Sequence, residues 1–175
     1  MVHAWFMSND VDDVHLPNKP INGQYIDLGY LKEIGVTYVK FKDSENYRIE
    51  LKKFCDENGF NYTDECAVTE RTPEDKIKKF IQEHIHSTDQ VRYISDGSAF
   101  FDVRDLQDRW IRLAVEAGDL IVIPAGMYHR SVNDKKNYLM TIRIFPIEPT
   151  YDQFSRPAEH VMARSKYLQM ISNKA

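Results

Sequence analysis

The sequence predicts a mainly β chain: a small β-barrel of short strands carrying peripheral helices, most of them N-terminal. Three observations predict it. Downstream of residue 90, apolar residues recur at every second position in short runs, the period of a half-buried strand, and Gly-containing turns separate the runs. Upstream of residue 84 the apolar spacing is mostly helical, with Gly or Pro at the boundaries. Finally, 175 residues at 42% hydrophobic and 29% charged suit one domain, spanning 1–175, with a core that needs no staples.

Taken in order, Val2 to Phe6 reads as a short edge strand, and Asn9 to Asn22, with Pro17 and Pro20, as loop. Asp27 is placed to cap a helix running to Ile34, with Leu28, Leu31 and Ile34 on one face and Gly35 as its stop. Val36 to Phe41 alternates as a strand. Glu45 to Asn58 carries Tyr47, Leu51, Phe54 and Cys55 at helical spacing and ends at Gly59. Thr72 then reads as the cap of a helix that has Pro73 and two acids in its first turn and Ile77, Phe80 and Ile81 on its apolar face. Beyond it, strands are expected over Val91 to Ile94, Ala99 to Val103, Trp110 to Val115, Leu120 to Ile123 and Tyr138 to Phe145. Asp96-Gly97 and Ala117-Gly118-Asp119 read as turns. Val161, Met162, Tyr167 and Leu168 have the spacing of a packing helix that also takes in His160.

Several function classes are disfavoured. A formal net charge of −4 argues against nucleic acid or an anionic membrane as the partner. No apolar run is long enough to span a bilayer, and no secretory apolar segment follows Met1. Cys55 and Cys66 are therefore expected as reduced, buried structural thiols in a soluble intracellular protein.

The chemistry gathers between His84 and Gly97. In an extended chain side chains alternate faces, so His84, His86 and Gln90 point one way while Asp89 points the other, unless a bulge rotates it inward. Two imidazoles on one face can grip Fe, Ni, Zn or Cu. His129, after Pro124-Ala125-Gly126-Met127-Tyr128, supplies a third if its strand lies alongside. His3, His15 and His160 read as surface or capping residues, and Phe80, Phe101 and Phe145 as core rather than pocket wall. Arg92, two residues past Gln90, shares the histidine face, and Arg143 lies on the later strand.

These residues carry a resemblance. His84-x-His86-x3-Gln90-x6-Gly97 resembles the first cupin motif, with Gln90 where the family has Glu, and Gly118-x5-Pro124-x-Gly126-x2-His129-x3-Asn133 matches the second throughout. The surrounding text resembles acireductone dioxygenase: Met1-Val2-x-Ala4-Trp5, Glu83-His84-x-His86, Arg92-Tyr93-Ile94-x-Asp96-Gly97, Phe101-Asp102-Val103-Arg104-Asp105 and Pro124-Ala125-Gly126-x-Tyr128-His129-Arg130. Phe154-Ser155-Arg156-Pro157-Ala158 also resembles the family, with Ser155 in place of its usual asparagine.

The resemblance implies a cupin double-stranded β-helix with Fe(II) or Ni(II) held by His84, His86, His129 and the residue at position 90. Arg92 and Arg143 would then position an anionic enediolate. It further implies O2-dependent cleavage of acireductone in methionine salvage, in a monomer of cytoplasm and nucleus. The products would be 4-methylthio-2-oxobutanoate and formate with Fe(II), and 3-methylthiopropanoate, formate and carbon monoxide with Ni(II). Gln90 supplies a neutral carbonyl in place of a carboxylate, which weakens metal retention. Two readings follow: a dioxygenase with an impaired centre, or an inactive paralogue kept as a binding or regulatory cupin.

Overall fold

The computed structural model describes residues 3–42 and 46–173. Its elements run β1 (His3–Phe6), α1 (Leu28–Glu33), β2 (Thr37–Lys40), α2 (Tyr47–Asn58), β3 (Tyr62–Val68), α3 (Glu74–Ile81), β4 (His84–Ile85), β5 (Gln90–Arg104), β6 (Trp110–Glu116), β7 (Asp119–Ile123), β8 (His129–Asn133), β9 (Leu139–Phe145), β10 (Phe154–Ser155) and α4 (Met162–Ser172). The expected starts at Val2 and Glu45 lie outside the described residues.

All strand pairs are antiparallel, and β5 joins the two layers. Its first half, Gln90 to Gly97, pairs with β7 and β9, which carry β2 and β3 at their outer edges. Its second half, Ser98 to Arg104, pairs with β6 and β8, and that layer continues to β1 on one side and to β4 and β10 on the other.

The sequence suggests two strands separated by an Asp96-Gly97 turn; the chain instead bends without stopping. A bulge falls between Ile94 and Asp96. Gly97 sits at φ +77°, where a Cβ would lie 2.2 Å from the Tyr138 carbonyl oxygen. The bend keeps its backbone paired, since the Ser98 N–H donates to that same oxygen at 3.1 Å. A residue free to take positive φ therefore turns the strand from one layer into the other.

Period-two alternation then sorts the side chains. On β5, Val91 and Tyr93 pack outward with Phe41, Leu51 and Cys55 under α2. Ile94, Phe101 and Val103 pack in the main core with Leu113, Ile121, Ile123 and Leu139. Burying side chains of this size contributes roughly 1.5–3 kcal/mol each, which holds the two layers together around the site.

Three helix readings need adjustment. Asp27 caps α1, accepting from the Tyr30 N–H at 2.8 Å, but Thr72 does not cap α3. Its hydroxyl accepts from the Thr69 N–H at 2.9 Å, closing the preceding turn, and α3 has no side-chain cap. The buried face of α4 is Ala163, Tyr167 and Ile171. Met162 and Leu168 lie on its exposed side, and His160 lies in the turn before it. Among the described residues no helix is long and apolar enough to cross a membrane.

Gly126 binds the site to this frame. Its N–H donates to the His86 carbonyl oxygen at 3.0 Å, and at φ +77° an added Cβ would lie 2.1 Å from the Ala163 carbonyl oxygen. Gly126→Ala is expected to destabilise the fold by about 2–3 kcal/mol, combining positive-φ strain with overpacking. A lowered urea midpoint with unchanged m-value checks this, and an unchanged midpoint contradicts it.

Candidate metal centre

Short strands set the histidines. β4 is only two residues long, and its His84 stands directly opposite His129, the first residue of β8. His86 follows one residue beyond β4. One ring nitrogen from each of the three lies within 4.8 Å of the other two, and the ring centroids are 4.5–5.3 Å apart.

Each ring is oriented through its other nitrogen. His84 Nδ1 meets the Gln82 carbonyl oxygen at 2.6 Å, His129 Nδ1 meets that of Met127 at 2.8 Å, and His86 Nδ1 meets that of Asp152. A carbonyl oxygen only accepts, so each Nδ1 carries the proton and each neutral ring turns an Nε2 lone pair inward. His84 Nε2 and His86 Nε2 are 3.1 Å apart. With both unprotonated, that contact sets two lone pairs against each other, a repulsion that a shared cation relieves. Two nitrogens about 2.1 Å from one ion lie about 3.0 Å apart at a right angle and about 3.4 Å apart in a tetrahedron, so this pair is close enough to share an ion. Three neutral imidazoles with their ligating nitrogens gathered in one place are a donor chemistry suited to a divalent transition metal.

Electrostatics favours the ligand form. Burial, with the His84 ring second, pulls His86 down to about 4. Burial likewise lowers His84, and takes His129 well below the ordinary imidazole range. Stability of the metal-free fold then depends on pH with a definite sign. Above pH 6.5 neither folded nor unfolded His86 binds the proton. Between 6.5 and about 4 only the unfolded chain does, so stability falls as pH falls through that window. At pH 5 the loss from His86 alone is about 2 kcal/mol. Urea midpoints of metal-stripped protein at pH 7.5 and 5.0 check the direction; equal midpoints contradict neutral buried rings.

Gln90 lines the same cavity but from the opposite layer. The chain crosses between β4 and β5 through the bend at Ser87 and Thr88, so Gln90 enters the cavity from the strand that pairs with β7, opposite Ile123. The Gln90 amide nitrogen donates to the Thr88 carbonyl oxygen at 3.2 Å, and its oxygen accepts from Arg92. Asp89 is not rotated inward. Its carboxylate accepts from the Ala125 N–H at 2.8 Å, pinning the turn before His129. Among the described residues no carboxylate or thiolate joins the three imidazoles.

The two arginines face each other across β5 and β9, and both line the cavity. Arg92 donates to the Val91 carbonyl oxygen at 3.0 Å and to Gln90, with no carboxylate at ion-pair distance among the described residues. Burial, and then the nearby Arg143, bring it down to about 10, so it stays charged at neutral pH. Arg143 is fully paired: its Nε and Nη2 each donate to Asp64 at 2.6 Å. The cavity has a volume of about 230 Å³.

Other lining residues were not legible as such. Cys55 is the buried structural thiol expected of it, but Cys66 is half-buried and faces the cavity from β3. β3 itself has no clear signature in the sequence, because its apolar positions are interrupted by Asp64 and Glu65. Phe101 and Phe145 are both core and wall, and Phe80 of α3 is half-buried beside them. Pro149, Tyr151 and Asp152 arrive on a polar segment with no strand or helix signature. His3 stacks on Tyr25, and His15 reaches the Asn133 carbonyl oxygen at 2.7 Å, so neither belongs to the site.

An antiparallel β-barrel whose cavity is lined by three converged imidazoles defines a cupin. Within that class the chain belongs to the acireductone dioxygenase family: the ARD/ARD' family model matches residues 3–153. It is 40% identical over 180 residues to human (Homo sapiens) acireductone dioxygenase, covering 100% of both chains. Against acireductone dioxygenase 1 of Vitis vinifera it is 42% identical over 176 residues, covering 98% of this chain and 93% of that one. Among solved structures, an acireductone dioxygenase from Bacillus anthracis with a cadmium ion in its active centre shares the fold. That match has a TM-score of 0.66 at 23% identity, over 75% of this chain and 92% of that one.

Proposed function

We propose that this chain is an acireductone-dioxygenase-like protein that binds Fe(II) or Ni(II) through His84, His86 and His129, with Gln90 weakening the centre. The observation that carries this is the shared anchoring of the three rings: every Nδ1 is held by a backbone carbonyl, which leaves each Nε2 free to ligate, and one ligating nitrogen of each ring lies within 4.8 Å of the others. The relatives named acireductone dioxygenase supply the substrate class, an enediolate cleaved by O2. When bound, the metal would supply a Lewis acid and a template for the two substrate oxygens.

The chain's own residues supply the rest. Arg92, charged and with no carboxylate at ion-pair distance among the described residues, offers its remaining donors to an anionic oxygen. Arg143 is spent on Asp64, so it acts on substrate mainly by holding the Asp64–Tyr151 side of the cavity. Phe80, Phe101 and Phe145 limit water near the reacting oxygens.

A non-enzymatic cupin is the second reading, and one observation favours it: the Gln90 oxygen is engaged by Arg92 and no carboxylate stands in for it among the described residues. Metal content of protein purified without added metal, read beside the loss of acireductone absorbance, separates the two. Bound Fe or Ni with substrate loss supports the enzyme. Bound metal with no turnover supports the binding protein, and neither metal nor turnover after loading overturns the metal reading itself.

A further inference from the structure

Counted by charge, the cavity is unbalanced. Three neutral imidazoles and a neutral amide face the metal position. Both carboxylates of this region are committed elsewhere. Asp64 accepts from Arg143 and Tyr151. Asp152 accepts from the backbone and hydroxyl of Ser87, on the Nδ1 side of His86 and away from the inward nitrogens. Among the described residues Arg92 donates to the uncharged oxygens of Val91 and Gln90, and the nearby Asp64 carboxylate is held directly by Arg143. A divalent ion here would bring its full charge beside two guanidiniums, Arg92 and Arg143, that share the single Asp64 carboxylate, in a region walled by Phe101 and Phe145. Charge left uncompensated in such a place is costly, and a nearby anion relieves it.

We propose that the Gln90 centre recruits a small carboxylate from solution as its missing anionic ligand, held jointly by the metal and the Arg92 guanidinium. This rests on the metal reading above. Arg92 is suited to hold such an anion, because it uses two of five N–H donors on the protein and its planar fork matches a carboxylate edge. At about 230 Å³ the cavity admits a ligand of a few heavy atoms in addition to the ion. Metal and carboxylate then bind cooperatively, each tightening the other by the same factor. A Glu at position 90 would make the recruited anion unnecessary.

The test is a calorimetric titration of Ni(II) into the metal-stripped full chain in a non-coordinating buffer. It compares sodium perchlorate with formate or acetate at equal ionic strength, corrected for Ni(II) bound by the free carboxylate. The expected result is an apparent Kd at least tenfold tighter in carboxylate than in perchlorate. Arg92→Gln should lose most of that tightening, and Gln90→Glu should bind Ni(II) tightly in both media. Equal, measurable affinity of the parent in both media overturns the proposal and leaves the metal reading standing. Tightening that survives unchanged in both variants also overturns it, because the carboxylate then sits elsewhere. No Ni(II) binding under any condition overturns both.

Discussion

In carboxylate-free buffer, Gln90→Glu is expected to raise Fe(II) or Ni(II) affinity by at least tenfold, and acireductone turnover with it. The site it would complete is already oriented, since three carbonyl oxygens fix the three imidazoles before any metal arrives. What is missing is charge. An amide offers a dipole where a carboxylate offers a full negative charge, to a divalent ion with neutral ligands and beside charged Arg92. The two oxygens of a glutamate can divide the work, one toward Arg92 and one toward the metal, whereas the single oxygen of Gln90 must serve both. Alterations to groups that merely orient ligands change metal affinity by roughly 10- to 100-fold, so restoring a direct ligand should do at least as much. Metal analysis and single-turnover absorbance of parent and variant, prepared alike, check it. Full metal occupancy and family-level turnover in the parent would show that Gln90 is an adequate ligand. No gain in either quantity would place the defect elsewhere in the cavity and favour the binding-protein reading.

How much of the fold and the site is legible in the sequence depends on how local each feature is. The Asp27 cap, the left-handed Gly59 at the end of α2 and the alternation of β9 are decided within a few residues, and they stand where the sequence puts them. The histidine positions are legible because backbone spacing sets them. Their meeting depends on His84 pairing with His129, a contact across 45 positions that only the shared motif could suggest. Gln90 lines the same cavity as the histidines but reaches it from the other layer. An even offset places two side chains on one face only while the strand continues, and here the chain turns at Ser87 and Thr88 and changes layer. Cys66 and Asp64 escape a sequence reading because β3 is an edge strand whose inner face lines a polar cavity, so its pattern lacks the apolar alternation that marks a core strand. The neutralisation of Arg143 by Asp64, 79 positions away, has no local signal at all.

Asp102→Ala is expected to cost about 3–5 kcal/mol, a larger stability effect than that of Gly126→Ala. Asp102 has no exposed surface, and its carboxylate accepts from Arg112 at 2.7 and 2.8 Å and from Arg130 at 2.8 Å. Arg112 is as completely buried, and it also donates to the Val14 and Leu16 carbonyl oxygens, tying the long N-terminal loop to the outer face of β6. Removing the carboxylate leaves two guanidiniums near one another, one of them without access to water, and neither can escape by losing its proton. The consequence reaches the metal centre through the backbone. Asp102 stands opposite Arg130, whose neighbour His129 stands opposite Val103, so loosening this pair loosens the strand that presents the His129 imidazole. Two measurements check the argument: the urea midpoint of the metal-free variant, and its Ni(II) affinity at a temperature where it remains folded. A shift below about 1 kcal/mol would mean that water reaches Arg112 once the carboxylate is gone. Replacing all three residues together by apolar ones of similar volume should recover much of the loss, because the penalty lies in stranding a charge rather than in losing an attraction.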